Sequence, residues 1–182
     1  PSPRPRFDVV INMLCGMAFT NKEIILNSNG ESWRPNVYIE DVCKAFLCSL
    51  EADFSTEKLE IFNIGSNKNN SKIITIAELI SSLVEGSKIT FLGDIGKKES
   101  LFSDSKINDG VDVRTYKVNF DKAHEYLPGF ASEWNLEEGI VGLLENFEKY
   151  KLTEDKFKQR DFYRLQQLDC LYQTKQYNVN FD

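Results

Sequence analysis

The sequence predicts a mixed α/β fold, on three observations. Several stretches space their apolar residues at the 3.6-residue period of a half-buried helix. Between them lie short runs of β-branched and aromatic residues closed by Gly, Asn or Pro, as strands are. The two kinds of segment alternate along the chain, which favours layered α/β packing over separate helical and sheet halves. With 182 residues, 41% apolar and 27% charged, the composition is that of an ordinary globular protein. A chain of this length buries roughly two-thirds to 70% of its unfolded surface.

The first helix is expected over 7–19, where Phe7, Val10, Leu14, Met17 and Ala18 share a face. A strand at 24–26 leads into a tight turn, Asn27-Ser28-Asn29-Gly30. Residues 34–38 read as a strand, and 39–52 as a helix burying Val42, Ala45, Phe46 and Ser49 or Leu50. Glu60-Ile-Phe-Asn-Ile64, closed by Gly65, reads as a buried strand because it shows no wet and dry alternation. Residues 66–72 read as a polar loop. Thr75-Ile-Ala-Glu78 has the pattern of a capping box opening a helix to about 85. A strand is expected at 88–92 and a long polar loop at 93–110, and long loops inside compact domains tend to carry function. Residues 111–118 alternate as a strand does, and a short helix at 121–127 ends at Pro128-Gly129. Asn135-Leu-Glu-Glu138 is a second capping box, opening a helix to about 150. Thr153 caps a short turn, and a last amphipathic helix spans 161–173. No internal repeat is present.

Charge and composition exclude several function classes. Lys and Arg number 22 against 28 Asp and Glu, a net charge of −6. That argues against nucleic acid as a partner, which needs a basic face, but one or two placed arginines suffice for a small anion. No apolar run approaches the ~20 residues of a membrane span, and Pro-Ser-Pro-Arg-Pro-Arg is not a signal peptide. Cys15, Cys43, Cys48 and Cys170 form no Cys-x-x-Cys pair and read as reduced, buried thiols, pointing to a cytoplasmic protein. The chain opens on proline rather than methionine, and is expected to be cut from something longer.

Ser32-Trp-Arg-Pro-Asn-Val-Tyr-Ile-Glu-Asp-Val42 is the most informative stretch. Proline is tolerated at the first residue of a strand, and Glu40 and Asp41 suit the positive end of a helix. Arg34 therefore stands at a strand mouth, where a guanidinium can hold an anion. Catalytic and metal-binding patterns are missing. No Gly-x-Gly-x-x-Gly or Gly-x-x-Gly-x-x-Gly follows a strand, and Gly93-Asp-Ile-Gly96-Lys97 lacks the spacing of a phosphate loop. No tyrosine has a lysine four residues on. The single histidine, His124, has no ligand or nucleophile partner in the sequence and reads as a surface or capping residue.

Taken in order, the motifs resemble the C-terminal half of an extended short-chain dehydrogenase/reductase of the NAD-dependent nucleotide-sugar epimerase/dehydratase family. Pro1-Ser2-Pro3 followed by Arg-x-Arg-Phe-Asp is similar to the segment after that family's Val-Tyr-Gly-Pro strand. Gly30-Glu-Ser-Trp-Arg-Pro-Asn-Val-Tyr-Ile-Glu-Asp-Val42 resembles its Gly-x-x-x-Arg-(Asp/Pro)-x-(Val/Ile)-(His/Tyr)-Val-x-Asp signature, and Ile61-Phe-Asn-Ile-Gly65 its Tyr-Asn-(Val/Ile)-Gly strand. Asp112-Val-Arg114-Thr-Tyr116 through Phe120-Asp-Lys-Ala123, then Trp134-Asn-Leu-Glu-Glu-Gly139-Ile, continue the likeness to about residue 150.

The resemblance implies a substrate-binding region over 1–150, of which about 34–66 packs on the parent's Rossmann domain, and a helical tail over 151–182. It places the glycine loop and the Tyr-x-x-x-Lys pair upstream, so no catalytic residue is expected here, and the chain alone is expected to be inactive. NAD or NADP would be bound mainly by the missing half, with Pro1 and Ser2 bordering the nicotinamide. Arg34 and Arg114 would hold the diphosphate of a nucleotide-sugar substrate, unless they are ordinary salt-bridged arginines. Asn12 and Tyr116 would lie near the substrate, against the alternatives of a capping asparagine and a packed tyrosine. Trp33 is either a base-stacking ring or a packed loop aromatic. The parent is expected to be a homodimer through helices absent here, with no metal. A stand-alone, non-catalytic nucleotide-sugar-binding or regulatory module derived from the same fold is the other reading. If elements 34–66 do pack on a missing domain, Phe46, Leu50, Phe62 and Ile64 must not be buried by the chain itself.

Overall fold

The computed structural model describes residues 5–52, 60–92 and 114–176. Helix α1 (Val10–Asn21) is followed by strand β1 (Glu23–Leu26), strand β2 (Trp33–Pro35) and helix α2 (Ile39–Glu51). A single 3-10 turn (Asn67–Asn69) leads to β3 (Asn70–Lys72), α3 (Ile73–Leu83) and β4 (Lys88–Phe91). Helices α4 (Asp121–Tyr126), α5 (Leu136–Lys149), α6 (Glu154–Phe157) and α7 (Arg164–Gln173) complete the order, with a 3-10 turn at Arg160–Phe162. β1 pairs parallel with β4, Glu23 opposite Lys88 and Leu26 opposite Phe91. β2 pairs antiparallel with β3, Arg34 opposite Ser71.

Two apolar clusters hold these elements. The larger joins Leu14, Cys15 and Ala18 of α1, Ile24 and Leu26 of β1, Ile76 and Ile80 of α3, and Ile140 and Phe147 of α5. Phe157 and Tyr163 close it from the C-terminal side, against Phe7 at ring-centroid distances of 4.8 and 6.3 Å. Gly16 provides the notch for this closure, since a Cβ there would lie 2.2 Å from the Phe157 ring. The segment after residue 151 is therefore bound into the main core. The smaller cluster packs Ala45 and Cys48 of α2 on Ala123, Leu127 and Phe130.

Several expectations need correction. Phe7 lies outside α1, which begins at Val10; its N–H donates to the Phe162 carbonyl at 3.0 Å and its ring is buried all the same. The third helix starts at Ile73, two residues before Thr75. The N–H groups of Ile73 and Ile74 donate to the carbonyls of Ser32 and Gly30, so backbone rather than a threonine hydroxyl caps this end. Gly30 sits at φ +72°, and a Cβ there would come within 2.9 Å of Ile74. β2 stops at Pro35, and Asn36 beyond it donates through its N–H and Nδ2 to the Asn69 carbonyl. Residues 66–72 are not all loop, since they contain β3. Residues 60–64 and 114–118 form no strand, and the last helix begins at Arg164 rather than 161.

Helix α2 presents a different face from the one expected. Asp41, Ala45 and Cys48 point inward, while Phe46 and Leu50 are 69% and 84% exposed. Ile39, Cys43 and Leu47 are exposed on the same outer stripe, at i, i+4 and i+8. Phe62 and Ile64 are only half-buried, so none of the four marker side chains is buried by the chain itself. Cys15 and Cys48 are buried as expected, whereas Cys43 is exposed and Cys170 partly so; all four are free thiols. The helices at 121–126 and 136–149 and the strands at 23–26 and 88–91 lie where the sequence places them. The long loop at 93–110, and Pro1 and Ser2, lie outside the described residues.

Candidate anion site

The β2–β3 pair and the segment 114–118 form one corner of the molecule. Asparagines fix that segment without a strand ladder. Asn70 accepts from the Val118 N–H at 2.9 Å and donates to the Val118 carbonyl at 3.0 Å, as a paired residue on a neighbouring strand would. Asn67 likewise accepts from the Phe120 N–H at 3.0 Å. On the other side the Trp33 N–H donates to Thr115 Oγ1 at 3.1 Å, and the Tyr116 N–H to the Trp33 carbonyl at 3.4 Å.

This tethering brings three of the expected residues together. Arg34 is buried to 8% exposure, and its Nη1 donates to the carbonyls of Trp33, at 2.8 Å, and of Arg114. Its guanidinium carbon lies 5.3 Å from the centroid of the Tyr116 ring. Arg34 thus forms the fixed floor of the corner, while Arg114 and Tyr116 are exposed at its rim. Asn12 is not drawn into this cluster. Its Nδ2 donates to the Arg6 carbonyl at 2.8 Å, joining α1 to the preceding turn.

Lys117 Nζ lies 3.6 Å from the centroid of the Trp33 ring, a pair that alternates along the two segments with Arg34 and Tyr116. Sequence reasoning passed over it, since a lone lysine in a polar run carries no pattern. The asparagines 67, 69 and 70 were legible only as a polar loop.

A buried carboxylate supports the corner from below. Asp41, 1% exposed, accepts from Ser132 Oγ at 2.5 Å, from the Glu133 N–H at 2.9 Å and from the Trp134 N–H at 3.4 Å. Trp134 in turn stacks on Tyr38 at 4.1 Å between centroids, and its carbonyl accepts from Asn69. Burial raises the Tyr38 phenol above its ordinary pKa, with Glu40 adding to the effect. Asp41 thereby ties α2 to the start of α5 and to the asparagine turn beneath Arg34.

The chemistry on offer is anion binding by guanidinium and ammonium groups beside aromatic rings. Among the described residues no group of three or more His, Cys, Asp or Glu could hold a metal ion. His124 contacts the Gly65 carbonyl at 2.9 Å, a local tie rather than a ligand set. Among the described residues no glycine-rich turn joins a strand to a helix. No described helix is long and apolar enough to cross a membrane.

Known proteins share parts of this sequence and fold. Residues 3–65 match the model of the NAD dependent epimerase/dehydratase family. No curated protein matches by sequence. Among solved structures, the Helicobacter pylori ADP-L-glycero-D-manno-heptose-6-epimerase superposes with a TM-score of 0.55 at 22% identity, over 76% of this chain and 37% of its own. MoeE5 in complex with UDP-glucuronic acid and NAD gives 0.58 at 20% identity, over 81% and 43%. The Bacillus anthracis dTDP-glucose 4,6-dehydratase in complex with NAD gives 0.58 at 17%, over 91% and 44%. The chain spans less than half the length of each of these proteins. Residues 3–65 are thus similar in sequence to the NAD dependent epimerase/dehydratase family, and the chain shares the fold of part of these solved structures.

Proposed function

We propose that the chain is the substrate-binding portion of an NAD(P)-dependent nucleotide-sugar epimerase or dehydratase. One observation carries this: the Arg34 guanidinium donates to the backbone carbonyl of Arg114, 80 positions on, and faces the Tyr116 ring, so both arginine-bearing segments adjoin. A nucleotide diphosphate carries its charge on adjacent phosphates, and two arginines on adjoining segments suit such a ligand. Such a site lets an acidic chain bind an anionic substrate. Binding the diphosphate orients the attached sugar, which is this portion's contribution to rate.

The cofactor, NAD or NADP, supplies hydride transfer, and in our reading it is held mainly by residues that this chain does not contain. The outer stripe of α2 and the half-buried Phe62 and Ile64 form the surface that packs on that nucleotide-binding part. Three side chains of the stripe, Phe46, Leu47 and Leu50, are 62–84% exposed. Covering them would contribute roughly 3–6 kcal/mol.

Calorimetric titration of UDP-, dTDP-, GDP- and CDP-sugars tests the proposal, with this chain and with the protein extended upstream to include a glycine loop and Tyr-x-x-x-Lys. At least one nucleotide sugar is expected to bind. Arg114→Ala is expected to weaken it roughly tenfold to a hundredfold, the worth of a charge-assisted hydrogen bond. Undiminished binding by both Arg34→Ala and Arg114→Ala would remove the site.

A further inference from the structure

We propose that residues 152–173 form a clasp over residues 5–9, which opens and closes as one unit while the rest of the fold stays in place, with Asp8 as its latch. The buried Phe7 ring is what the clasp closes on, with the ring centroids of Phe157, Phe162 and Tyr163 at 4.8, 5.5 and 6.3 Å. The Phe7 N–H donates to the Phe162 carbonyl at 3.0 Å, and the Arg164 N–H to Asp8 Oδ2 at 3.2 Å. The clasp is also tied to itself. Tyr163 Oη donates to the Phe157 carbonyl at 2.8 Å, and Arg160 Nη1 to Cys170 Sγ at 2.7 Å. These ties link α6, the 3-10 turn and α7 into one piece, the kind of contiguous segment that opens cooperatively.

Helix α7 depends on these neighbours. Its 10 residues include no buried side chain, and an isolated helix shorter than about 12–15 residues is marginal in water. Its N-cap, Tyr163, makes no side-chain capping bond, and its first turn holds no acidic residue. Asp8 supplies both from another segment, an acceptor for the Arg164 N–H and a negative charge at the helix start. Arg6 grips the same carboxylate through Nε at 2.8 Å and Nη2 at 2.9 Å, and this pairing holds the Asp8 carboxyl below the usual carboxylate range. The latch is therefore charged at neutral pH. The part that stays in place is the packing of α1 on α3 and α5 through Leu14, Ile76, Ile80 and Ile140, none of which belongs to the clasp. Opening bares the Phe7 ring and leaves residues 5–8 tied to α1 through the Asn12 Nδ2 bond to the Arg6 carbonyl. The C-terminal segment thus decides whether the N-terminal one is held or released. The clasp stands or falls independently of the diphosphate reading.

The test is native-state hydrogen exchange, followed by NMR, on the full chain and its Asp8→Ala, Asp8→Asn and Tyr163→Phe variants. In wild type the amides of Phe7, Phe157, Tyr163, Gln167 and Thr174 should exchange through one shared opening. They should show a common dependence on urea and exchange faster than the amides of α3. Asp8→Ala should speed all five roughly threefold to thirtyfold and leave α3 unchanged. Asp8→Asn, which keeps an acceptor for the Arg164 N–H but loses the charge, should fall between the two. Tyr163→Phe cuts a tie inside the clasp and none to Phe7, and it should speed the Phe7 amide as well. If Asp8→Ala speeds the α7 amides alone, the helix frays by itself and there is no clasp. Equal speeding in α3 would mean global unfolding rather than a separate unit, and no change at Phe7 or in α7 would mean that Asp8 is no latch.

Discussion

Replacing Asp41 should reveal how strongly the corner depends on one carboxylate. The side chain is 1% exposed and accepts from one hydroxyl and two backbone N–H groups, at 2.5, 2.9 and 3.4 Å. Only the first two distances represent strong hydrogen bonds. A hydrogen bond to a charged group contributes about 1.5–3 kcal/mol, and a buried donor left without an acceptor carries its full desolvation cost. Asp41→Ala should therefore destabilise the chain by about 3–5 kcal/mol, a large share of the 5–15 kcal/mol typical of a domain. Asp41→Asn keeps one carbonyl acceptor for the Glu133 N–H and should cost about 1–3 kcal/mol. Urea unfolding followed by far-ultraviolet circular dichroism measures both. Trp134, whose N–H leans on the same carboxylate while its ring stacks on Tyr38, offers a local fluorescence probe. If Asp41→Ala unfolds within about 0.5 kcal/mol of wild type, the change expected of an ordinary surface substitution, Asp41 is no hub.

Other substitutions probe the remaining structure. Gly16→Ala gains about 1 kcal/mol of helix propensity but drives a methyl to within 2.2 Å of the Phe157 ring, an overlap costing about 1–3 kcal/mol. It should destabilise wild type yet become neutral or stabilising in a Phe157→Leu background, and urea midpoints of the four-member cycle decide this. Phe46→Lys and Leu50→Lys should leave the chain's own stability within about 0.5 kcal/mol, whereas Ala45→Lys, at 4% exposure, should unfold it. Alkylation at pH 8 with iodoacetamide, read by mass spectrometry, should modify the exposed Cys43 first and spare Cys15. Burial pushes the Cys15 thiol up to about 12, leaving almost no thiolate at that pH.

What the sequence revealed depended on how local each determinant was. The Asn135–Glu138 box was legible because both partners of its two hydrogen bonds lie within four residues. Thr75–Glu78 has the same pattern, but the carbonyls of Gly30 and Ser32, over 40 residues away, start that helix earlier. The period of α2 identified a helix but not its buried side, because apolar residues line two faces and tertiary packing chose between them. Residues 60–64 carry the composition of a buried strand yet have no pairing partner among the described residues, and composition alone supplies none. At the corner itself, Arg34, Arg114 and Tyr116 could be named from motifs. The roles of Asn70, Thr115 and Lys117 depend on contacts between distant segments that no spacing rule encodes.

The most direct measurement of the proposed diphosphate site is a nitrogen-15 NMR titration of the chain with UDP-, dTDP-, GDP- and CDP-sugars. Binding at the corner predicts the largest shifts at the amides of residues 33–36 and 114–117 and at the Trp33 indole N–H, lost in Arg114→Ala. Shifts confined to other surfaces, such as α7, or none with any of the four ligands, would contradict it.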